Sequence, residues 1–290
     1  MSTLHIIGNG FDLWHGLPTS YDSFYVFAKD MLDELESFYL IDTVKNGPWS
    51  DFENSLGKFD WQLLYEAHDY TDITGENFRP SEAYGLEDDL TEQADAIVDA
   101  IKERFHDWIE EIDVSSASPK TSFPETDFFL SFNYTSTLQL VYGIDNANIV
   151  HIHGRSDAYD ELIFGHGETR EEESEVDENG DSNRTMFSDA EGAAKYPFYA
   201  LQKPVSDAIK NNREFFDSLG DYSTISIIGH SLNDIDLPYF EEIAKNTNNA
   251  KWTIYCYRIE DKDHYLKQLI KCGVDGRNIT IETYDKLPSA

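Results

Sequence analysis

The stretch LHIIGNGFD at residues 4–12 decides the fold class. A short, apolar, β-branched run stops at a glycine-containing segment, and a helical pattern of apolar residues follows at residues 21–39. This order of strand, glycine loop and helix opens folds in which strands alternate with helices. Gly8 and Gly10 predict either N–H groups that approach a phosphate or a tight strand-to-helix turn.

Further segments repeat this alternation along the chain. Strand-like runs follow at residues 127–131, 149–152, 162–164, 224–228, 252–257 and 279–283, and helical stretches lie at residues 135–142, 198–219, 237–245 and 263–271. The pattern predicts an α/β fold with a Rossmann-like, mostly parallel sheet and helices on both faces. We expect a single domain over residues 1–290, with a helical insertion at 40–120. The acidic tract at 168–191 is nearly without aliphatic residues and predicts a mobile loop.

The charge of the chain restricts its partners. The 290 residues hold 22 Lys and Arg against 56 Asp and Glu, a formal net charge of -34. Nucleic acid is therefore a poor partner, and so is an anionic membrane surface, because both are bound mainly through Lys and Arg. The acidic side chains concentrate in the helical middle and the 168–191 tract, where they either solvate outer faces or recruit a basic partner.

The cysteines and the apolar runs predict the compartment. Cys256 and Cys272 form neither a disulfide framework nor a CxxC metal pair, which favours a reducing environment. We find no basic region followed by an apolar run, and no run approaches the roughly 18 apolar residues of a membrane span. We therefore expect a cytoplasmic protein without a membrane anchor.

Polar residues stand where the apolar runs stop, which is where parallel sheets bind ligands. Asn133 is either a helix N-cap or a ligand contact. His151 and His153 are expected to share one strand face, as satisfied core histidines, half of a metal site, or a catalytic base beside an orienting neighbour. His166, flanked by glycines, is a third candidate of the same kind.

The segment IIGHSLNDIDLP at residues 227–238 ends another run. Asp236 is expected to cap a helix that carries Pro238 in its first turn. GHSL at 229–232 is similar to the nucleophile elbow of α/β-hydrolases, but Asn233 replaces the closing glycine of that motif. The mismatch disfavours a serine hydrolase.

These segments together resemble the phage abortive-infection AbiH family. The likeness rests on IIGNGFD at 6–12, HGLPTSY at 15–21, SFNYT at 131–135, IHG at 152–154, FGHG at 164–167 and GHSLNDID at 229–236. AbiH proteins are in turn similar to the sirtuin-like fold, which binds NAD. The four-cysteine zinc ribbon of sirtuins is absent from the sequence, so the resemblance implies NAD cleavage rather than lysine deacetylation.

The resemblance implies a role for each matching residue. It makes His153 the catalytic base and places Asn133 at the ribose or a water molecule. The residues expected to bind the nucleotide are Gly8, Asn9, Gly10, Phe11, Asp12, His166, Gly229, His230, Ser231 and Asp234. No metal ligand is expected.

Three functions follow as hypotheses. The first is a phage-defence enzyme that cleaves NAD, or a related nucleotide, at the nicotinamide–ribose bond. The second is a nucleotide sensor without turnover that signals through the helical insertion. The third is a metal-dependent nuclease using His151, His153 and His166, against which the charge argues. A phage-encoded trigger and a second copy of the chain are the expected protein partners.

Overall fold

Six parallel strands form one sheet in the part of the chain that the structure describes. They are β1 (Thr3–Ile7), β2 (Phe128–Ser131), β3 (Ile149–His151), β4 (Thr224–Ile228), β5 (Lys251–Cys256) and β6 (Ile279–Thr283). Their order is β3-β2-β1-β4-β5-β6, and every neighbouring pair is parallel. The predicted α/β, Rossmann-like fold is thereby confirmed. The strand order reverses between β1 and β4, which makes that point of the sheet its topological switch point.

The computed structural model describes residues 2–41, 49–68, 79, 81–171, 174, 176–247 and 249–290. The described helices are α1 (Asn9–Trp14), α2 (Tyr21–Phe27), α3 (Lys29–Leu35), α4 (Phe52–Leu56), α5 (Trp61–His68), α6 (Ser81–Glu110), α7 (Thr137–Tyr142), α8 (Ser188–Ala200), α9 (Val205–Asn211), α10 (Arg213–Asp217), α11 (Leu237–Asn246) and α12 (Lys262–Lys271). None of them combines the length and apolar composition that a membrane span requires.

These residues form two compact units. The first comprises Met1–Ser23, His106–Ile163 and Pro204–Ala290, and the second Phe24–Phe105 and Phe164–Lys203. The single domain over residues 1–290 with a helical insertion at 40–120 stays a prediction.

The first unit contains the whole sheet, with apolar side chains on both faces. Successive residues of β1 alternate: Ile6 belongs to a buried cluster that includes Phe240 of α11, and Ile7 to a second cluster that includes Leu138 of α7. Helices therefore cover both faces, as predicted. Burying each such side chain contributes about 1.5–3 kcal/mol, so strands with two apolar faces are stable only between two helical layers.

The second unit has an aromatic core of its own. The ring of Phe105 lies 5.4 Å from that of Phe24, 5.8 Å from that of Phe52 and 4.3 Å from that of Phe164. Aromatic pairs at such distances contribute about 0.5–1.5 kcal/mol each beyond their buried area. Because Phe24 and Phe164 take part, this unit begins before residue 40 and includes residues after 163.

Several predicted elements have other bounds. The run at 162–164 is not a strand, because Phe164 enters the aromatic core. The helix predicted over 21–39 is divided between α2 and α3, and that over 198–219 among α8, α9 and α10 with Pro204 before α9. Within the 168–191 tract α8 begins at Ser188, and residues 172, 173 and 175 lie outside the described residues.

Candidate functional site

The loops that carry the predicted site residues of the first unit leave the sheet at one edge. The register pairs Ile7 with Ser131 and with Ile228, and Ser131 with His151. The loops after β1, β2, β3 and β4 therefore begin side by side at the carboxyl edge. This confirms that residues 8–12, 133, 153 and 229–236 follow strands that end at the same edge.

Glycines let two of these loops pack backbone against backbone. Gly8 N donates to Ile228 O at 3.0 Å, and Gly10 N donates to Gly229 O at 2.7 Å. A Cβ atom on Gly10 would lie only 2.7 Å from Gly229 O, and Gly229 has a φ of 71°. The expected phosphate contact through Gly8 and Gly10 would require these N–H groups to leave their present acceptors. The geometry favours the alternative of a tight turn.

The residues after Gly8 also have structural partners. Helix α1 begins directly at Asn9, whose side-chain amide donates to Thr19 O at 2.7 Å. Phe11 is fully buried and its ring lies 4.5 Å from that of His15. Asn9 and Phe11 thus hold the loop and the core in place, and neither contact resembles the nucleotide-binding role that was expected.

Asp12 is a buried carboxylate beside Asn133. It accepts a hydrogen bond from Thr135 Oγ1 at 2.5 Å. Burial raises the pKa of Asp12 to about 6, and the neighbouring Thr135, Thr137 and Asn133 side chains oppose that rise. The carboxyl group therefore titrates near neutrality rather than in its ordinary range.

Asn133 has a buried side-chain amide. Its Oδ1 and Nδ2 do not reach full hydrogen-bonding geometry with any residue in the described parts of the chain, although the side chain faces Asp12 closely enough to lower the pKa of that carboxyl group. Helix α7 begins only at Thr137 and its N-cap is Ser136, so the interpretation of Asn133 as a cap is wrong. A buried amide with so incomplete a set of contacts keeps hydrogen-bonding capacity that a ligand or a water molecule would use.

His151 and His166 are histidines with satisfied ring nitrogens. His151 Nδ1 lies 3.1 Å from Asn133 O and its Nε2 lies 2.9 Å from Gln139 Nε2. His166, which belongs to the second unit, contacts Phe198 O through Nε2 at 2.8 Å and accepts from Glu168 N through Nδ1 at 3.2 Å. Burial lowers the pKa of both imidazoles. Both residues fit the core-histidine alternative, and the nucleotide contact expected of His166 stays a prediction.

His153 is separated from His151 by the end of the strand. β3 stops at His151, and residues 152 and 153 form a turn. The expectation that the two histidines share a strand face is wrong, because strand alternation does not extend through a turn. The ring of His153 instead lies 5.0 Å from Phe132 and 5.5 Å from Tyr239.

A carboxylate joins His153 to His230. Asp236 Oδ1 lies 3.8 Å from His153 Nε2, and Asp236 Oδ2 lies 3.5 Å from His230 Nε2. All three residues are buried. His230 Nδ1 accepts from Leu232 N at 3.0 Å, so the ring proton of a neutral His230 is on Nε2, facing Asp236. We call His153, His230 and Asp236 the histidine–aspartate cluster.

The turn before α11 positions this cluster. Asp236 occupies the N-cap position of α11, as predicted, but its side chain makes no capping hydrogen bond. Leu232 is fully buried with a φ of 53°, a left-handed conformation that is rare for such a side chain. Backbone of this kind costs about 1–3 kcal/mol and is concentrated at functional sites. Sequence reasoning missed Asp236 as a site residue, and its only signal was an acidic residue shortly after the GHSL motif.

Other residues of the same turn contact α12. The exposed carboxylate of Asp234 pairs with Lys271 at 2.9 Å, which lowers the Asp234 pKa. Ser231 O lies 3.0 Å from His264 Nε2. These contacts connect the turn to α12 rather than to the histidine–aspartate cluster. Across the described residues, no group of three or more His, Cys, Asp or Glu side chains is arranged to hold a metal ion.

The fold and the site define a Rossmann-like α/β protein with a buried histidine–aspartate cluster at the carboxyl edge of its sheet. The family model described as bacteriophage abortive infection AbiH matches residues 4–256, and the chain belongs to this family. The match includes β2, β3, β4 and β5, all of β1 except its first residue, and the whole cluster. No curated protein and no solved structure matches the chain. Family membership connects the protein with abortive infection as a defence against phages.

Proposed function

We propose that this phage-defence protein binds a nucleotide at the carboxyl edge of its sheet and cleaves NAD at the nicotinamide–ribose bond. The observation that carries the proposal is the buried histidine–aspartate cluster, and the buried amide of Asn133, which meets no hydrogen-bonding geometry among the described residues, supports it. Phe132 connects the two features, since its ring contacts His153 and it directly precedes Asn133.

The position of the cluster supports nucleotide binding. Asp236 follows β4 and His153 follows β3, and in the sheet these strands are separated by β2 and β1. The two loops therefore converge over the ends of the intervening strands, beside the switch point between β1 and β4. Open α/β sheets bind their ligands in this place.

The proposed chemistry assigns one role to each group. The bond between ribose and nicotinamide breaks, nicotinamide leaves as a neutral molecule with the bonding electrons, and a water oxygen forms the new bond to the ribose carbon. The water proton passes to the imidazole of His153. The carboxylate of Asp236 stabilises the resulting imidazolium, and the Asn133 amide orients the water or a ribose hydroxyl. The products are ADP-ribose, nicotinamide and a proton.

The surroundings of His153 favour this role. Phe132 and Tyr239 pack against the imidazole and shield it from bulk solvent, and an electrostatic interaction with Asp236 is stronger in such surroundings than in solvent. The separation of 3.8 Å exceeds a hydrogen bond, and contacts between catalytic groups often shorten when the substrate binds.

The test is incubation of the purified protein with NAD, followed by chromatography for nicotinamide and ADP-ribose. We expect equal amounts of the two products. Retention of NAD on the protein without nicotinamide release would instead identify a nucleotide sensor. A protein that neither binds NAD nor releases nicotinamide from it would overturn the proposal. Related nucleotides would then be compared in the same assay.

A further inference from the structure

A second feature of the first unit lies outside the histidine–aspartate cluster. It is a cleft of about 630 Å³ between the end of α6, the 3-10 turn Val114–Ser116, the start of α7 and the turn at residues 156–159. We call it the acidic cleft. Its polar walls include Thr135 and Ser136, which belong to the same loop as Asn133.

The charge of this cleft has one sign. Glu110, Glu111, Asp113 and Asp157 line it, and all four are exposed. Of the residues that line it, none is Lys, Arg or His. Arg155 pairs with Asp157 at 2.6 Å and His106 lies 3.8 Å from Glu110, whereas no basic partner is found for Glu111 or Asp113 among the described residues. An anionic ligand is repelled here and a cationic one is attracted.

Apolar side chains are exposed in the same cleft. Leu140 is 65% exposed and Tyr159 is 89% exposed, although both are large. Tyr159 has a φ of 58° and its turn is fixed by hydrogen bonds from Tyr159 N to Ser156 O and from Asp160 N to Arg155 O. The turn therefore holds the aromatic ring in solvent at the cost of a left-handed backbone. A small cation would leave both side chains uncovered.

We propose that the acidic cleft binds a basic segment of another protein, in which Lys or Arg side chains flank at least one apolar side chain. The cations pair with the carboxylates, and the apolar side chain covers Leu140 and Tyr159. A second copy of this chain is a poor occupant, because each copy carries a formal charge of -34. The proposal does not depend on any nucleotide chemistry.

The test uses a short synthetic peptide of Lys, Arg and Leu, with spermine as a cation that lacks an apolar side chain. Binding to the full chain is measured by calorimetry at low and at physiological salt, without nucleotide. Glu110→Gln with Glu111→Gln removes two charges from the cleft. The matched control is Glu92→Gln with Glu103→Gln, since these residues are exposed on the same helix and do not line the cleft.

We expect the cleft variant to bind the peptide about three- to tenfold more weakly, and the control to bind as the unaltered protein does. Leu140→Ser should weaken binding of the peptide but not of spermine. Equal weakening by both double variants would overturn the proposal, because it would reflect only the net charge. A Leu140→Ser variant that binds the peptide normally would also overturn the proposal. Self-association of the unaltered chain that Leu140→Ser abolishes would overturn it too, because a second copy would then occupy the cleft. Thermal unfolding of each variant checks that these exposed substitutions leave the fold intact.

Discussion

Asp236 Oδ2 lies 3.5 Å from Nε2 of His230, on the side of the ring that carries the proton when His230 is neutral. The other oxygen of the same carboxylate faces His153 at 3.8 Å. The buried carboxylate of Asp236 thus lies close to the imidazoles of both His153 and His230. Removal of its charge should affect proton transfer at His153 more than the packing of the turn.

Asp236→Asn tests this relationship. The substitution keeps the size of the side chain and removes the charge that stabilises an imidazolium at His153. We expect nicotinamide release to fall by about 10²–10⁴-fold while NAD binding is retained. Asp234→Asn is the control, because it makes the same change in the same turn at an exposed carboxylate paired with Lys271. Similar turnover in both variants would remove Asp236 from the mechanism.

Gly229→Ala tests the packing of the two glycine-containing loops. Gly229 has a φ of 71°, and a Cβ atom there would collide with the backbone of Phe11 and Gly10. Gly143 has a similar φ of 68°, but a Cβ atom added to it would meet nothing within 4 Å. We expect Gly143→Ala to cost about 1 kcal/mol of unfolding free energy and Gly229→Ala at least about 2 kcal/mol more. Denaturant unfolding measures both, and equal losses would contradict the loop contact.

Asp12 should make stability depend on pH. Burial raises its folded-state pKa from the ordinary value of 3.8 to about 6, so the folded state holds the proton more tightly than the unfolded chain. Its contribution is fully present below pH 3.8 and is lost as the pH rises through about 6. The difference between these pKa values corresponds to about 3 kcal/mol.

The measurement compares the unaltered protein with Asp12→Asn, which keeps an acceptor for Thr135 and does not titrate. Unfolding free energies are determined by denaturant at a series of pH values. Relative to the variant, the unaltered protein should lose stability between pH 3.8 and about 6. A difference between the two proteins that stays constant with pH would show that Asp12 does not titrate in this range.

Arg170 should stabilise the second unit. Its guanidinium lies 3.8 Å from the ring centroid of Phe198 and donates to Phe59 O. The start of the 168–191 tract is therefore packed, whereas its composition alone predicts a mobile loop. We expect Arg170→Ala to lower the unfolding free energy by about 1–2 kcal/mol. Arg184→Ala, which removes an exposed pair with Asp189, should change it by less than about 0.5 kcal/mol. If Arg170→Ala leaves the unfolding free energy unchanged, the interpretation of the 168–191 tract as a mobile loop is favoured.

Local patterns in the sequence were enough to predict the six strands found in the described residues, although they also predicted a strand at 162–164 that is not there. The alternation at Ile6 and Ile7 identifies a strand with two buried faces, and strand ends near Asn133 and His153 were correctly placed at one edge. The sequence did not reveal contacts with residues that lie elsewhere in the chain. Nothing near His166 indicates that its nitrogens contact backbone groups of Glu168 and Phe198.

The same limit applies to the aromatic core and to the cluster. Phe24 and Phe164 are far apart in the chain, so no window of sequence shows that they share a core with Phe105. Asp236 was correctly predicted at the start of a helix, but the direction of its carboxylate depends on His153. A helix N-cap and a catalytic carboxylate have the same appearance in a single sequence.

The rate of nicotinamide release by His153→Gln tests directly whether His153 is the catalytic base. The substitution removes the proposed base, whereas the control His106→Gln alters a histidine on α6 that lies 3.8 Å from Glu110 and outside the cluster. We predict that His153→Gln lowers the rate by about 10²–10⁴-fold, retains NAD binding and unfolds cooperatively, while the control keeps the original rate. A folded His153→Gln protein that releases nicotinamide at the original rate would show that His153 is not the base.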